Sequence, residues 1–190
     1  MAKTLRQAES IVSLKVTLRD VRPPVWRRLL VPGRMTLGGL HHVIQAAMGW
    51  DDAHLHAFDI AGREYSDPHE VDGAADEERL TVNGVLRSGV PRLTYTYDFG
   101  DDWEHAIAIE GKQPPVDGRR YPACVAAGKR NCPPEDCGGC WGYQELLAIL
   151  ADPAHPRRQE WAEMIGDDFD PEAFSVEAAD ARVAARFGCQ

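Results

Sequence analysis

Residues 92–110, RLTYTYDFGDDWEHAIAIE, read as two strands joined by a turn. Leu93, Tyr95, Tyr97 and Phe99 share one face of the first strand, and Trp103, His105, Ile107 and Ile109 share one face of the second. For these faces to coincide, directly opposed residue numbers must sum to an even value. A two-residue turn at Gly100-Asp101 would oppose Tyr97 to Glu104 and send one apolar set into water. A three-residue connection, Gly100-Asp101-Asp102, opposes Tyr97 to His105 and keeps both sets together. An antiparallel hairpin with an odd-length connection is therefore expected here.

The flanking segments extend the same sheet. Between residues 10 and 20, Val12, Leu14, Val16 and Leu18 alternate with Ser13, Lys15, Thr17 and Arg19, the period of a half-buried strand. Pro23-Pro24 interrupts it, and Val25–Val31 resumes an extended run that puts Trp26 and Arg27 on opposite faces. A helix follows over LGGLHHVIQAAMGW, with Thr36 as its N-cap and Gly49 as its C-terminal cap. Residues 54–60 read as a strand, and Ser66 to Glu78 as a surface loop. From Gln113 to Tyr143 no period survives. Regular structure then returns as a helix carrying Tyr143, Leu146, Leu147 and Leu150, a second carrying Trp161, Met164 and Ile165, and a last one over about 175–187. Strands come first and helices late, without βαβα alternation. The expectation is a single α+β domain over residues 1–190, with a core at about 10–188 and a mainly antiparallel sheet.

Composition narrows the function classes. The 190 residues carry 21 Lys and Arg against 30 Asp and Glu, a formal charge of −9. Residues 1–34 hold eight basic and two acidic side chains, a net of +6, which leaves −15 for the remainder. Such a total argues against a general polyanion binder, whose affinity comes from cations that release counterions. Apolar residues make up 44% and charged residues 27%, a globular composition. No apolar run reaches the ~20 residues of a membrane span. The start, MAKTLRQAES, lacks an apolar core of a signal segment, so a cytoplasmic location with reduced thiols is expected.

Four places carry candidate chemistry. Cys124, Cys132, Cys137 and Cys140 form a C-x7-C-x4-C-x2-C series that suits tetrahedral zinc, although the spacing is not that of a standard ribbon or finger. The alternatives are buried free thiols, or a redox pair at Cys137 and Cys140 before a helix. Asp98, Asp102, Glu104 and His105, with Asp101 between them, can hold a hard cation and supply an acid–base group. Turn-forming carboxylates and a core imidazole bonded to Tyr95 or Tyr97 are the plainer account. Trp26, Arg27 and Arg28 suit a phosphate edge, or else pair with the acidic remainder of the chain. His41-His42 on a helix and His54/His56 on a strand are potential ligands whose carboxylate partners the sequence does not identify, and Asp136 suits a helix N-cap.

The strings themselves are informative. PPVWRRLLVPG (23–33), LHHVIQAAMGWDDAHLHAF (40–58), YTYDFGDDWEHAIAIE (95–110), CVAAGKRNCPPEDCGGCWGY (124–143) and DDFDPEAFS (167–175) together resemble the plasmid pRiA4b ORF-3-like family. The resemblance spans about residues 12–176. It implies one α+β domain carried on plasmids, mobile elements and bacterial chromosomes, and it implies no mechanism. In the family pattern the position of Cys140 is usually not cysteine, which counts against a family-wide four-cysteine site. Some relatives carry a resolvase label, but the stretch from Trp161 to Gln190 has only Arg182 and Arg186 as basic residues and so lacks a basic DNA-reading helix. The function expected is a non-enzymatic binding or interaction domain with a structural metal, through an unknown protein partner or a weak DNA contact. The alternative is a metal-dependent hydrolase or nuclease-like enzyme built on the Asp98–His105 hairpin.

Overall fold

The computed structural model describes residues 9–128, 130–166 and 169–188. β1 (Ile11–Leu18) and β2 (Trp26–Pro32) pair antiparallel, with Lys15 opposite Arg28. Their alternation buries Val12, Leu14, Val16, Leu18, Leu29 and Val31 on one face. The opposite face meets water, and there Arg28 donates to both oxygens of Glu110 at 2.7 and 2.8 Å. One wet and one dry face is the ordinary condition of an antiparallel sheet.

α1 (Leu37–Met48) crosses the dry face. Thr36 Oγ1 accepts from Gly39 N at 3.1 Å, and Gly49 closes the helix at φ 92° by donating to Gln45 O. Leu37, Leu40, Val43, Ile44 and Met48 are all buried, at about 1.5–3 kcal/mol for each large side chain. That burial outweighs the weak first turn at Gly38-Gly39, where each glycine costs up to about 1 kcal/mol relative to alanine.

β3 (His56–Ile60), β4 (Arg63–Ser66) and β5 (Ala75–Asp76) form one flank of the sheet, followed by a 3₁₀ turn at Glu77–Arg79 and α2 (Val82–Arg87). β6 (Arg92–Tyr97) and β7 (Trp103–Gln113) form the hairpin, and β8 (Ala123–Ala127) adds to β2. α3 (Gly139–Ala151), α4 (Arg158–Ile165) and α5 (Val176–Phe187) complete the chain, with α5 against α1 and β8. The eight-stranded sheet runs β5-β4-β3-β6-β7-β1-β2-β8 and is antiparallel except at β4·β5. This is the α+β, mainly antiparallel fold the sequence implied. Among the described residues no helix is long and apolar enough to cross a membrane.

Three expectations need correction. The hairpin keeps its even sum, but Tyr97 opposes Trp103 and Tyr95 opposes His105, so the connection is residues 98–102. The strand stops early because Asp98 adopts φ 58° and its Oδ1 accepts from the Gly100 and Asp101 amides at 2.9 and 3.3 Å. Phe99 is thereby thrown out of the strand and is 48% exposed. Second, Ser66–Glu78 is not all loop, since β5 pairs there with β4. Third, β8 lies inside the stretch read as irregular. Its residues, ACVAA, have no alternation of their own, and it is recruited by β2.

Candidate metal centre

The start of β3, the end of β6 and the start of β7 lie side by side, so three loops meet at one end of the sheet. They are residues 49–55, the 98–102 turn and the 131–138 segment before α3. Backbone and side-chain bonds clip them together. Trp50 Nε1 donates to Pro133 O at 2.9 Å, Asp51 N to Glu135 Oε2 at 2.7 Å, Asp98 N to Leu55 O at 2.8 Å and Gly138 N to Asp101 Oδ2 at 3.1 Å. The Tyr97 hydroxyl accepts from Ala53 N at 2.9 Å and donates to Glu135. Burial and the Glu135 carboxylate both raise its pKa, so it remains a donor.

At this junction His54 Nε2 lies 3.0 Å from Asp136 Oδ1 and 3.8 Å from Asp98 Oδ2. One ligand atom from each residue lies within 4.8 Å of the other two. The Nε2 atom is buried and has no well-aligned hydrogen bond, although two carboxylates face it. For bonds of ~2.1 Å, the edge of a tetrahedral coordination shell is about 3.4 Å, which the two separations bracket. Asp98 and Asp136 both occupy the left-handed region, at φ 58° and 57°. Asp tolerates that region better than most residues, and such conformations collect at functional sites.

His54 also borders a cavity of about 760 Å³, lined among others by His41, His42, Asp52, His56 and Glu77. His41 stacks on His56 at 3.5 Å between centroids, and His56 Nε2 meets Glu77 Oε2 at 2.9 Å. His41 Nδ1 lies 2.8 Å from the Tyr95 hydroxyl, whose oxygen accepts from Gln45. Its Nε2 lies 2.6 Å from Asp52 Oδ1. Burial, then the neighbouring His56, push the His41 pKa down to about 3, so the ring is neutral at pH 7. Burial favours the neutral form of Asp52, but His41, His42 and Arg186 prevail and hold its pKa below the ordinary value.

The structure distributes the sequence candidates unevenly. Of the hairpin set, Asp98 joins the junction, Asp102 is exposed, and Glu104 is paired with Arg19 at 2.6 Å. His105 is fully buried, with Nδ1 at 3.3 Å from the Tyr95 carbonyl and a pKa lowered by burial to about 4. That set therefore does not converge, because β7 turns His105 into the core. Cys124, Cys132 and Cys137 are buried and Cys140 half-buried, all as free thiols. Among the described residues, no three of their sulfurs lie within 4.8 Å of one another, so the four-thiol arrangement is not formed. Burial raises the thiol pKa of Cys124 to about 11, and of Cys132 and Cys137 to about 12, opposite to the shift of a redox-active thiol.

Trp26 and Arg27 do take opposite faces, but Arg27 is the buried one. Its guanidinium donates to the carbonyls of Ala47, Trp26 and Arg130 and lies 3.7 Å above the Phe174 ring. Trp26 lies half-exposed on the wet face beneath Lys15 and Arg28. Asp136 caps no helix, since Gly138 holds the N-cap position of α3. What the sequence did not reveal was which carboxylate each histidine would meet. Asp52 is only ten or eleven residues from His42 and His41, the one pairing with a local signal; Asp98, Asp136 and Glu77 are brought in by the sheet.

The family described as plasmid pRiA4b ORF-3-like protein matches residues 10–178. An uncharacterised protein from Sinorhizobium fredii (strain NBRC 101917 / NGR234), y4hQ, is 46% identical over 168 residues, 86% of each chain. The crystal structure of MM3350, a protein of unknown function from Methanosarcina mazei Go1, superposes with a TM-score of 0.82 at 36% identity, covering 90% of this chain and 97% of that one. The matched span includes every residue of the loop junction, and with agreement in both sequence and fold the chain belongs to the plasmid pRiA4b ORF-3-like family.

Proposed function

We propose that this chain is a divalent-cation-binding domain whose cation sits between His54 Nε2, Asp98 Oδ2 and Asp136 Oδ1. The observation that carries the reading is the spacing of these three atoms around a buried imidazole nitrogen with no aligned hydrogen bond. One imidazole and two carboxylates form a borderline-to-hard donor set, suited to Mn²⁺, Co²⁺ or Zn²⁺. Structural zinc sites use four protein ligands, whereas three leave a position for water or a bound ligand. The adjoining cavity gives a small polar ligand room beside that position. A cytoplasmic setting belongs to the same proposal. A DNA contact through Arg27 and Arg28 does not, since one is buried and the other is bonded to Glu110.

The test is calorimetric titration of Mn²⁺ and Co²⁺ into the full chain and into its His54→Ala and Asp136→Asn variants. One cation equivalent should be lost in both variants, while circular dichroism stays unchanged. Equal affinity in wild type and His54→Ala would overturn the proposal. The open position also favours a second reading, hydrolysis by a metal-bound water whose pKa the cation lowers. Turnover of bis(p-nitrophenyl) phosphate or p-nitrophenyl acetate by the Mn²⁺-loaded chain, abolished in His54→Ala, is its expected signature. No turnover in the wild type rejects hydrolysis of those substrate classes and leaves cation binding to the first experiment.

A further inference from the structure

A second group of ligand atoms lies on the same cavity and is built from different residues. One ligand atom each of His41, His42 and Asp52 falls within 4.8 Å of the other two; His41 Nε2 lies 2.6 Å from Asp52 Oδ1 and His42 Nδ1 3.0 Å from Asp52 Oδ2. Asp52 adopts φ 65°, which directs its carboxylate back onto the histidines of α1. The Tyr95 hydroxyl, itself held by Gln45, orients His41 through Nδ1, the kind of outer partner that fixes a metal-binding imidazole.

A cation already lies against two of these three residues. Arg186, in the last turn of α5, places Nη2 2.9 Å from His42 Nδ1 and 2.8 Å from Asp52 Oδ2. A guanidinium has no acceptor. Its approach to His42 Nδ1 therefore requires a lone pair on that nitrogen, the form of imidazole that ligates a metal. The Nδ1 lone pair and the Asp52 oxygen then face each other at 3.0 Å with the guanidinium as their common donor. Arg186 is 47% exposed and can swing out without opening the core. One turn earlier, Arg182 Nε donates to Ala46 O at 3.0 Å, so two arginines fasten α5 to α1.

We propose that His41, His42 and Asp52 form a second site for an imidazole-preferring divalent cation such as Co²⁺ or Zn²⁺, with Arg186 as its tethered competitor. Entry of the metal transfers His42 Nδ1 and Asp52 from the guanidinium to the ion and moves the proton of the His41–Asp52 bond to His41 Nδ1, where the Tyr95 hydroxyl oxygen turns to accept it. It also releases the last turn of α5 from α1. The site does not depend on the His54 centre.

The experiment is Co²⁺ titration of the full chain, read by visible d–d absorption and calorimetry, with wild type, Arg186→Ala, Asp52→Asn and His54→Ala compared. If the guanidinium holds the site nine-tenths of the time, Arg186→Ala tightens this equivalent by about tenfold. Asp52→Asn removes it and retains the His54 equivalent, and His54→Ala does the reverse. Absence of a thiolate charge-transfer band assigns the absorption to nitrogen and oxygen ligands. In the wild type, Co²⁺ accelerates amide exchange in the last turn of α5. Unchanged affinity in Arg186→Ala, or an equivalent that survives Asp52→Asn, overturns the proposal. Should Arg186→Ala disturb α5, Arg186→Met provides the second measurement, because it keeps the aliphatic stem and removes the Nη2 donor. It should tighten Co²⁺ binding in the same direction, and unchanged or weaker binding counts against the competitor role.

Discussion

Replacing Gly139 by alanine tests whether α3 begins where the loop junction requires it. Gly139 has φ 65°, and a methyl group there would overlap the backbone carbonyl oxygen of Asp101. The left-handed conformation costs an alanine roughly 1–2 kcal/mol. Overlap with a fixed backbone atom adds about 1–3 kcal/mol. The neighbouring Gly138 is an internal control. It has φ 86°, but its added methyl meets nothing nearer than the Gly142 Cα at 3.5 Å, so only the conformational cost applies. Gly139→Ala should therefore lower stability by about 2–5 kcal/mol, and Gly138→Ala by about 1–2 kcal/mol. For a domain of this size the first corresponds to a fall in Tm of about 4–20 °C. Urea denaturation of both variants measures the difference. Asp136 lies three residues upstream, so backing α3 away from Asp101 also moves that carboxylate from His54, and Mn²⁺ affinity should fall in Gly139→Ala alone. Equal destabilisation by the two alanines would refute the close approach on which this reasoning rests.

Two further perturbations address the core beneath the junction. The pKa of His41 falls from 6.5 to about 3 and that of His105 from 6.5 to about 4 on folding, so below pH 6.5 the unfolded chain binds more protons. Stability should therefore be complete above pH 6.5 and decline as pH falls towards 4, by up to about 1.4 kcal/mol per pH unit for each histidine. His105→Gln should make that decline shallower in urea melts at pH 5 to 7, and an unchanged slope would contradict the assignment. Arg27→Ala leaves the Ala47 and Arg130 carbonyls without that donor, while Trp26 O keeps the Gly128 amide, and it takes the guanidinium from the Phe174 ring. With two carbonyls left unpaired at about 1–3 kcal/mol each, a loss of about 2–6 kcal/mol is expected in the same assay, and less than 1 kcal/mol would refute it.

The parts of the fold that were legible in sequence are those whose period reports their own burial. β1, α1 and α5 emerge with the expected faces and caps because one side of each meets the core. The hairpin parity also holds, but its length does not, because side-chain bonding by Asp98 ends the strand one step before the hydrophobic pattern does. β8 was invisible for the opposite reason: its strand character comes from β2 and not from its own residues. The candidate centre was half visible. In sequence Asp98 stands out among its neighbours and His54 is a potential ligand, whereas Asp136 reads as a cap. Their meeting requires β3, β6 and the 131–138 segment to be in place together, and no local spacing encodes that. Cysteine spacing counts ligand types, whereas a metal needs sulfurs that converge, and among the described residues no three of these do.

The position of β1 carries a consequence for how the chain is made. It pairs on one side with β2, close in sequence, and on the other with β7, where Ser13 meets Gly111. A nascent chain can therefore close the first pair early, while the second edge of β1 waits until about a hundred more residues have been synthesised. During that interval an edge with Val12, Leu14, Val16 and Leu18 on one face is open to pairing with other chains. Contacts of such sequence separation slow folding and lengthen the exposure. The basic excess of the first 34 residues is cancelled by the acids that follow only at about residue 72, so mutual repulsion between unfinished chains vanishes within that interval and returns, with the opposite sign, before β7 is complete.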